Sequence, residues 1–140
     1  MRRQLALVAM VALLACSNSA RGDDPLESFQ TFWKSFRESI VDAKPDAVAA
    51  LTQFPFKTRG TLDDAPVRSV DQAGFAGALE EVLGQDPGLS SKPETMRDLI
   101  LRTETVDERA MSGSGMARIG SLVFSNTAAG WRLTMAYTDD

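Results

Sequence analysis

Histidine is absent from the 140 residues, and cysteine and tyrosine occur once each. Without histidine there is no histidine-based nucleophile triad, no HExxH zinc site and no side chain that shuttles protons near neutral pH unaided. The lone Cys16 can close no internal disulfide and form no CxxC redox pair. Neither a P-loop nor a GxGxxG occurs; Gly113-Ser114-Gly115 is too short for either and sits among turn formers. An apolar run long enough to cross a bilayer is missing too. The uncharged run Leu5 to Leu14 has ten residues. As a helix it covers about 15 Å, half a hydrocarbon core.

What is present is a globular composition, with 44% hydrophobic and 24% charged residues. The length suits one ordinary domain, which would bury roughly two-thirds of its unfolded surface. Arg2 and Arg3 before the apolar run, and small residues after it, form the pattern of a secretory signal peptide over residues 1–15. Leu13-Leu14-Ala15-Cys16 then resembles the lipobox of bacterial lipoproteins, in which the cysteine becomes the first mature residue and carries lipid. The other reading is an ordinary signal peptide cut after Asn18-Ser19-Ala20, which leaves Asn18 where a small residue is wanted and a free exported thiol.

The lipobox resemblance implies a diacylglyceryl thioether and an N-acyl group at Cys16, and stable anchoring needs more than one chain. Ser17, rather than an aspartate, follows the cysteine. In a Gram-negative host that implies the outer membrane, with the protein facing the periplasm. Residues 16–25 read as a short tether with a reach of roughly 15–20 Å, and residues 26–140 as one domain. The chain has 15 basic and 19 acidic residues, a net charge of −4. Loss of Arg2 and Arg3 leaves 13 against 19, or −6. A net acidic domain has no generic attraction for nucleic acid or anionic lipid, so nucleic acid is not expected as a partner.

Asp24-Pro25-Leu26-Glu27 combines an N-cap acid, a first-turn proline and a capping-box glutamate. Apolar residues follow at Leu26, Phe29, Trp33, Phe36 and Ile40, which predicts a helix with one buried face that stops before Pro45. Pro45 opens a second helix ending near Gln53. Short strands are expected at Phe56 to Gly60 and Pro66 to Val70, around the turn Thr61 to Asp64. Ser69 to Gln72 reads as a capping box for a third helix that Gly84 closes. From Ser91 to Glu94 onward the residues read either as the start of a short helix through about Leu101 or as part of an extended run. Strands are expected at Glu104 to Met111, Met116 to Ser125 and from Trp131 onward. In the last of these Trp131, Leu133, Met135 and Tyr137 share the apolar face.

Leading helices and trailing strands argue an α+β fold with N-terminal helices packed on a curved antiparallel sheet. The element order, "FPFKTRG" after two helices and the closing "GSLVFSNTAAGWRLTMAY" resemble the NTF2-like (cystatin-like) cone. That resemblance implies a curved sheet wrapping the helices, in some members with a pocket at the wide end. Some members are enzymes and many only bind, so fold alone does not choose.

The candidate pocket residues are Trp33, Phe36, Phe56, Phe75, Trp131 and Tyr137, which equally suit a hydrophobic core. Arg59, Arg68, Arg118 and Arg132 could contact an anion if the early short strands adjoin the last sheet. Asp63-Asp64 offers oxygen ligands to a cation but equally suits a solvated turn, and Asp107-Glu108 cannot share one strand face. No metal and no cofactor is called for. Two functions stay open. One is a non-catalytic, lipid-anchored envelope module that binds a small ligand or another envelope protein. The other is a pocket enzyme of isomerase or hydrolase type, using a carboxylate with Tyr137 as relatives of the ketosteroid isomerases do. Replacing Cys16 by serine is expected to block maturation and release the protein from membranes. Mature mass and membrane fractionation measure this; both unchanged would remove the lipoprotein reading.

Overall fold

The computed structural model describes residues 24–88 and 91–139; the signal segment, Cys16 and nearly all of the tether lie outside them. Helix α1 spans Pro25–Val41. Asp24 Oδ1 accepts a hydrogen bond from the Leu26 N–H at 3.1 Å, and Pro25 fixes the first turn. Phe29, Phe32, Trp33, Phe36 and Ile40, three or four residues apart, form its buried face. Helix α2, Pro45–Ala50, follows a tight turn and ends three residues earlier than the periodicity predicts. The chain then goes directly into strand β1, Thr52–Gly60, which is paired through Arg59–Val67 with strand β2, Val67–Val70.

Helix α3 covers Phe75–Leu83 and helix α4 covers Met96–Arg102. The capping box expected for α3 does not form. Ser69 instead belongs to β2, where its Oγ accepts from Lys57 Nζ, and Asp71 Oδ1 caps the turn by accepting from Gly74 N–H. A capping box forms on α4, where Thr95 and Asp98 bond each other's backbone N–H. The segment expected as a strand from Glu104 is mostly not one. It holds a 3-10 turn at Glu108–Ala110, started by Asp107, before the two-residue strand β3, Met111–Ser112.

The single strand expected from Met116 to Ser125 is two. Strand β4, Met116–Ile119, turns at Gly120 and Ser121 into strand β5, Leu122–Thr127, and a two-residue turn leads to strand β6, Gly130–Thr138. The six strands lie in the order β2-β1-β6-β5-β4-β3 in one open sheet. The fold is therefore α+β, but the sheet is mixed and not antiparallel throughout, because β1 and β6 run parallel. The reason is topological. After β2 the chain crosses through α3 and α4 to the far edge and walks back through four strands, ending beside β1 in the same direction.

The core lies between α1 and the sheet. Phe124 of β5 meets Phe36 at 5.1 Å, Phe29 at 5.3 Å, Phe32 at 5.6 Å and Trp33 at 6.0 Å between ring centroids. Three of these pairs are edge-to-face, the arrangement that matches ring quadrupoles. A second aromatic group sits under α3. Between Thr52 and Lys57, β1 advances further than its partner β6, and this irregular stretch carries a cis Phe54–Pro55 peptide. Phe54 and Phe56 both meet Phe75 edge-on at 5.3 Å.

The last turn of α4 is tied to α1. Trp33 Nε1 donates to the Thr103 carbonyl at 2.8 Å, and Arg37 donates to the carbonyls of Ile100 and Leu101. These are carbonyls a helix end cannot satisfy by itself. Met96 at the start of α4 reaches the β4–β5 turn, where its sulfur accepts from the Ser121 N–H.

Gly120 in that turn has φ +55, and a Cβ there would lie 2.5 Å from Met96 Sδ and 2.7 Å from Leu99 Cδ2. Gly113 has φ +71 but open space around it. Gly120→Ala is therefore expected to lose about 3 kcal/mol of stability, combining backbone strain with overpacking. Gly113→Ala should lose only about 1 kcal/mol. Chemical denaturation measures both, and equal losses would contradict the packing of this turn on α4.

Candidate functional site

The expected aromatic pocket is occupied by its own side chains. Trp33, Phe36, Phe56, Phe75 and Trp131 are all buried core residues. The two indole N–H groups end on internal acceptors, the Thr103 carbonyl for Trp33 and Ser28 Oγ, at 2.9 Å, for Trp131. A buried indole requires such a partner.

Tyr137 is on the other side of the sheet. Along β5 and β6, Phe124 faces Leu133 but Val123 faces Met135, so β6 carries one extra residue, Thr134. A bulge of this kind reverses the alternation beyond it. Trp131 and Leu133 point to the core before the bulge and Ala136 after it, while Met135 and Tyr137 turn outward. The expected four-residue apolar face is thereby corrected. Tyr137 lies under the Arg118 guanidinium, 4.5 Å from the ring centroid.

A cleft of about 410 Å³ opens where α3 and the chain end cross the β1–β2 edge. Thr58, Arg68 and Val70 line its sheet side, Ala78, Glu81 and Val82 its helix side, and Thr138 and Asp139 its end. Alternation and pairing put Arg68 opposite buried Thr58, on the face toward α3. Arg59 also borders the cleft, although it is a neighbour of inward Thr58 and Gly60 and its Nη2 donates to the Asp63 carbonyl at 2.8 Å. The Arg59 Nε is buried without a hydrogen-bond partner among the described residues. The volume fits a small molecule, and the lining offers apolar walls with charges of both signs. Tyr137 is not among the lining residues, so the carboxylates Glu81 and Asp139 do not share this cleft with it.

The second grouping is the helix-free face of the sheet. Register places Arg118, Val123, Met135, Lys57 and Ser69 in one row across β4, β5, β6, β1 and β2. Arg132 and Ser125 stand in the row before, with Met116, and Tyr137, Arg59 and Val67 in the row after. Three of the four arginines expected from sequence thus share a face, and Lys57 joins them. Arg68 does not, since it is on the cleft side. Lys57 could have been found from its spacing of two from Arg59 within the expected strand Phe56 to Gly60; it was missed because only arginines were gathered into the anion patch.

Asp63 and Asp64 stay exposed in the β1–β2 turn. Among the described residues no group of three or more potential ligands is gathered to hold a metal, and no helix is long and apolar enough to cross a membrane. The ion pairs Arg97–Glu80, 3.0 Å, and Arg102–Glu94, 2.8 Å, lie on the helical layer. Hydrogen bonding to Glu94 raises the Arg102 pKa above its ordinary value. Compared with known proteins, the chain matches no family model, no curated protein and no solved structure.

The Tyr137 hydroxyl makes no hydrogen bond to the described residues, whereas Trp131 anchors the start of β6 to α1. Tyr137→Phe is therefore expected to change stability by less than about 0.5 kcal/mol. Trp131→Phe should cost about 2 kcal/mol through lost volume and an unpaired Ser28 hydroxyl. Urea unfolding of the two variants distinguishes an outward tyrosine from a core one.

Proposed function

We propose that this protein is a lipid-anchored module of the bacterial envelope, held at the outer membrane through Cys16, which binds a small ligand without transforming it. The cleft between α3 and the β1–β2 edge carries this reading: it is large enough for a ligand and pairs Arg68 with the apolar side chains of Val70 and Val82. A ligand with one anionic end and an apolar body suits that lining, the guanidinium fork taking the carboxylate or phosphate. What favours binding over catalysis is the separation of Tyr137 from the cleft carboxylates, with no histidine to replace it.

An NTF2-like cone is the finer fold we propose. Its support is the element order, two helices, a strand pair, two further helices and a closing meander whose last strand lies beside the first. The filled aromatic core moves the opening to the sheet edge.

A thermal-shift panel of small amphiphiles on the mature chain tests ligand binding. Ligands that occupy the cleft should raise Tm by several degrees at about 100 times Kd. The half-buried Ala78 lies in the cleft wall, so Ala78→Trp should remove that shift while circular dichroism stays unchanged. A shift that survives in Ala78→Trp rules out the cleft. No shift from any amphiphile leaves the envelope-protein partner as the function.

A further inference from the structure

Charge in this protein is sorted by element. Every charged side chain in the strands is basic: Lys57, Arg59, Arg68, Arg118 and Arg132. All but Arg68 lie on the helix-free face. None of these four meets a carboxylate among the described residues. Lys57 Nζ donates to Ser69 Oγ at 2.7 Å, Arg59 Nη2 to the Asp63 carbonyl at 2.8 Å, Arg118 Nε to the Gly120 carbonyl at 3.0 Å and Arg132 Nη1 to the Trp131 carbonyl at 2.7 Å. Each partner is a neutral oxygen, so these bonds orient the cations without neutralising them. Asp63 and Asp64, the acids nearest in sequence to Lys57 and Arg59, and Asp139, the nearest to Arg132, are all at one end of the face, beyond Gly60 and Thr138.

We propose that this face docks flat on an anionic lipid leaflet. A chain of net charge −6 after loss of its first fifteen residues would be repelled by such a surface if its charge were spread evenly. The sheet instead presents four cations in three adjacent rows, while on the helical layer α1 carries equal numbers of acids and bases and α2 and α3 carry Asp46, Glu80 and Glu81 with no base. Between and beside the cations stand Met135, Tyr137 and the exposed Met116 and Val67, 46% and 56% accessible. Side chains of this mixed kind suit the boundary between headgroups and acyl chains. Chain geometry favours a lipid over a soluble anion. The described chain begins at Asp24, and Ser28 is bonded to Trp131, next to Arg132. A tether of eight residues from Cys16 enters at the Arg132 end of the sheet with a reach of roughly 15–20 Å. The orientation rests on the anchoring reading; the affinity of the face does not.

The test uses the mature chain with Cys16→Ser, unlipidated, in vesicle co-sedimentation. Vesicles of phosphatidylcholine with roughly one-third phosphatidylglycerol should retain the protein, and pure phosphatidylcholine should not. Raising salt from about 0.05 to about 0.5 M should release it. The double variant Lys57→Glu, Arg132→Glu should bind at least tenfold more weakly, since each basic residue near such a surface contributes roughly fivefold. Lys34→Glu with Lys44→Glu, the same charge change at exposed positions of the helical layer, should lose less than about twofold. Arg132→Gln with Lys57→Gln, milder for folding, should give an intermediate loss. Any of four results overturns the proposal: binding indifferent to phosphatidylglycerol, full binding by the sheet-face variant, equal loss in the helical-layer variant, or duplex DNA or polyglutamate binding as tightly as the vesicles. Failure here leaves Cys16-dependent fractionation and the cleft's thermal shifts untouched, so the three readings fall separately.

Discussion

One ring, Phe124, fixes how the two layers meet. Four aromatic side chains from successive turns of α1 converge on it, and Trp131 beside it closes on Phe29 at 5.0 Å. A helix that commits four aromatic side chains to one sheet position has little freedom to slide or roll, because interiors at close packing tolerate little change of shape. Two consequences follow. The space under α1 is filled, so no ligand enters there. Beyond the reach of α1, at the β1–β2 edge, α3 provides a thinner cover, and it is there that the cleft opens.

The shorter helices depend on this frame. Seven residues of α4 would not persist as an isolated helix, since nucleation costs more than so few hydrogen bonds return. Its first turn is held by the Thr95–Asp98 box and its last by Trp33 and Arg37 from α1. Met96 in turn locks the β4–β5 turn, where the positive φ of Gly120 and the close approach of the Met96 and Leu99 side chains favour glycine. The order therefore runs from α1 through α4 to the sheet's far strands, a path carried by side chain to backbone bonds.

Much of α1 was legible because its signals are local: a cap, a proline and a stripe repeating every three or four residues. The β5–β6 hairpin was legible for the same reason. What escaped was non-local. The parallel β1–β6 pair joins segments from opposite ends of the chain, and no turn residue announces it. The β4–β5 turn was hidden within an apolar run, where Gly120 and Ser121 read as strand. Residues Glu104 to Asp107 have strand-like composition, yet Asp107 starts a 3-10 turn by accepting from the Arg109 N–H. The aromatics of the supposed pocket were identified correctly as large apolar groups, but periodicity alone does not say whether a cavity or another ring faces them.

The sites show the same limit in sharper form. A single added residue, Thr134, decides where Tyr137 points, and Ala136 shows why the chain keeps it. Ala136 is fully buried, paired with Leu122 on one side and Thr58 on the other. Strict alternation from Trp131 would have turned the tyrosine ring toward the core and this alanine away from it. With the extra residue, the small side chain takes the tight position and the phenol joins the cations outside. Net charge misleads in a similar way, since it sums over positions that a pleat separates. Lys57 and Arg59 share a face because two residues make one pleat period, and the bulged register brings Arg118 and Tyr137 into contact across two strands. An acidic protein can therefore present a basic surface, and only the register reveals it.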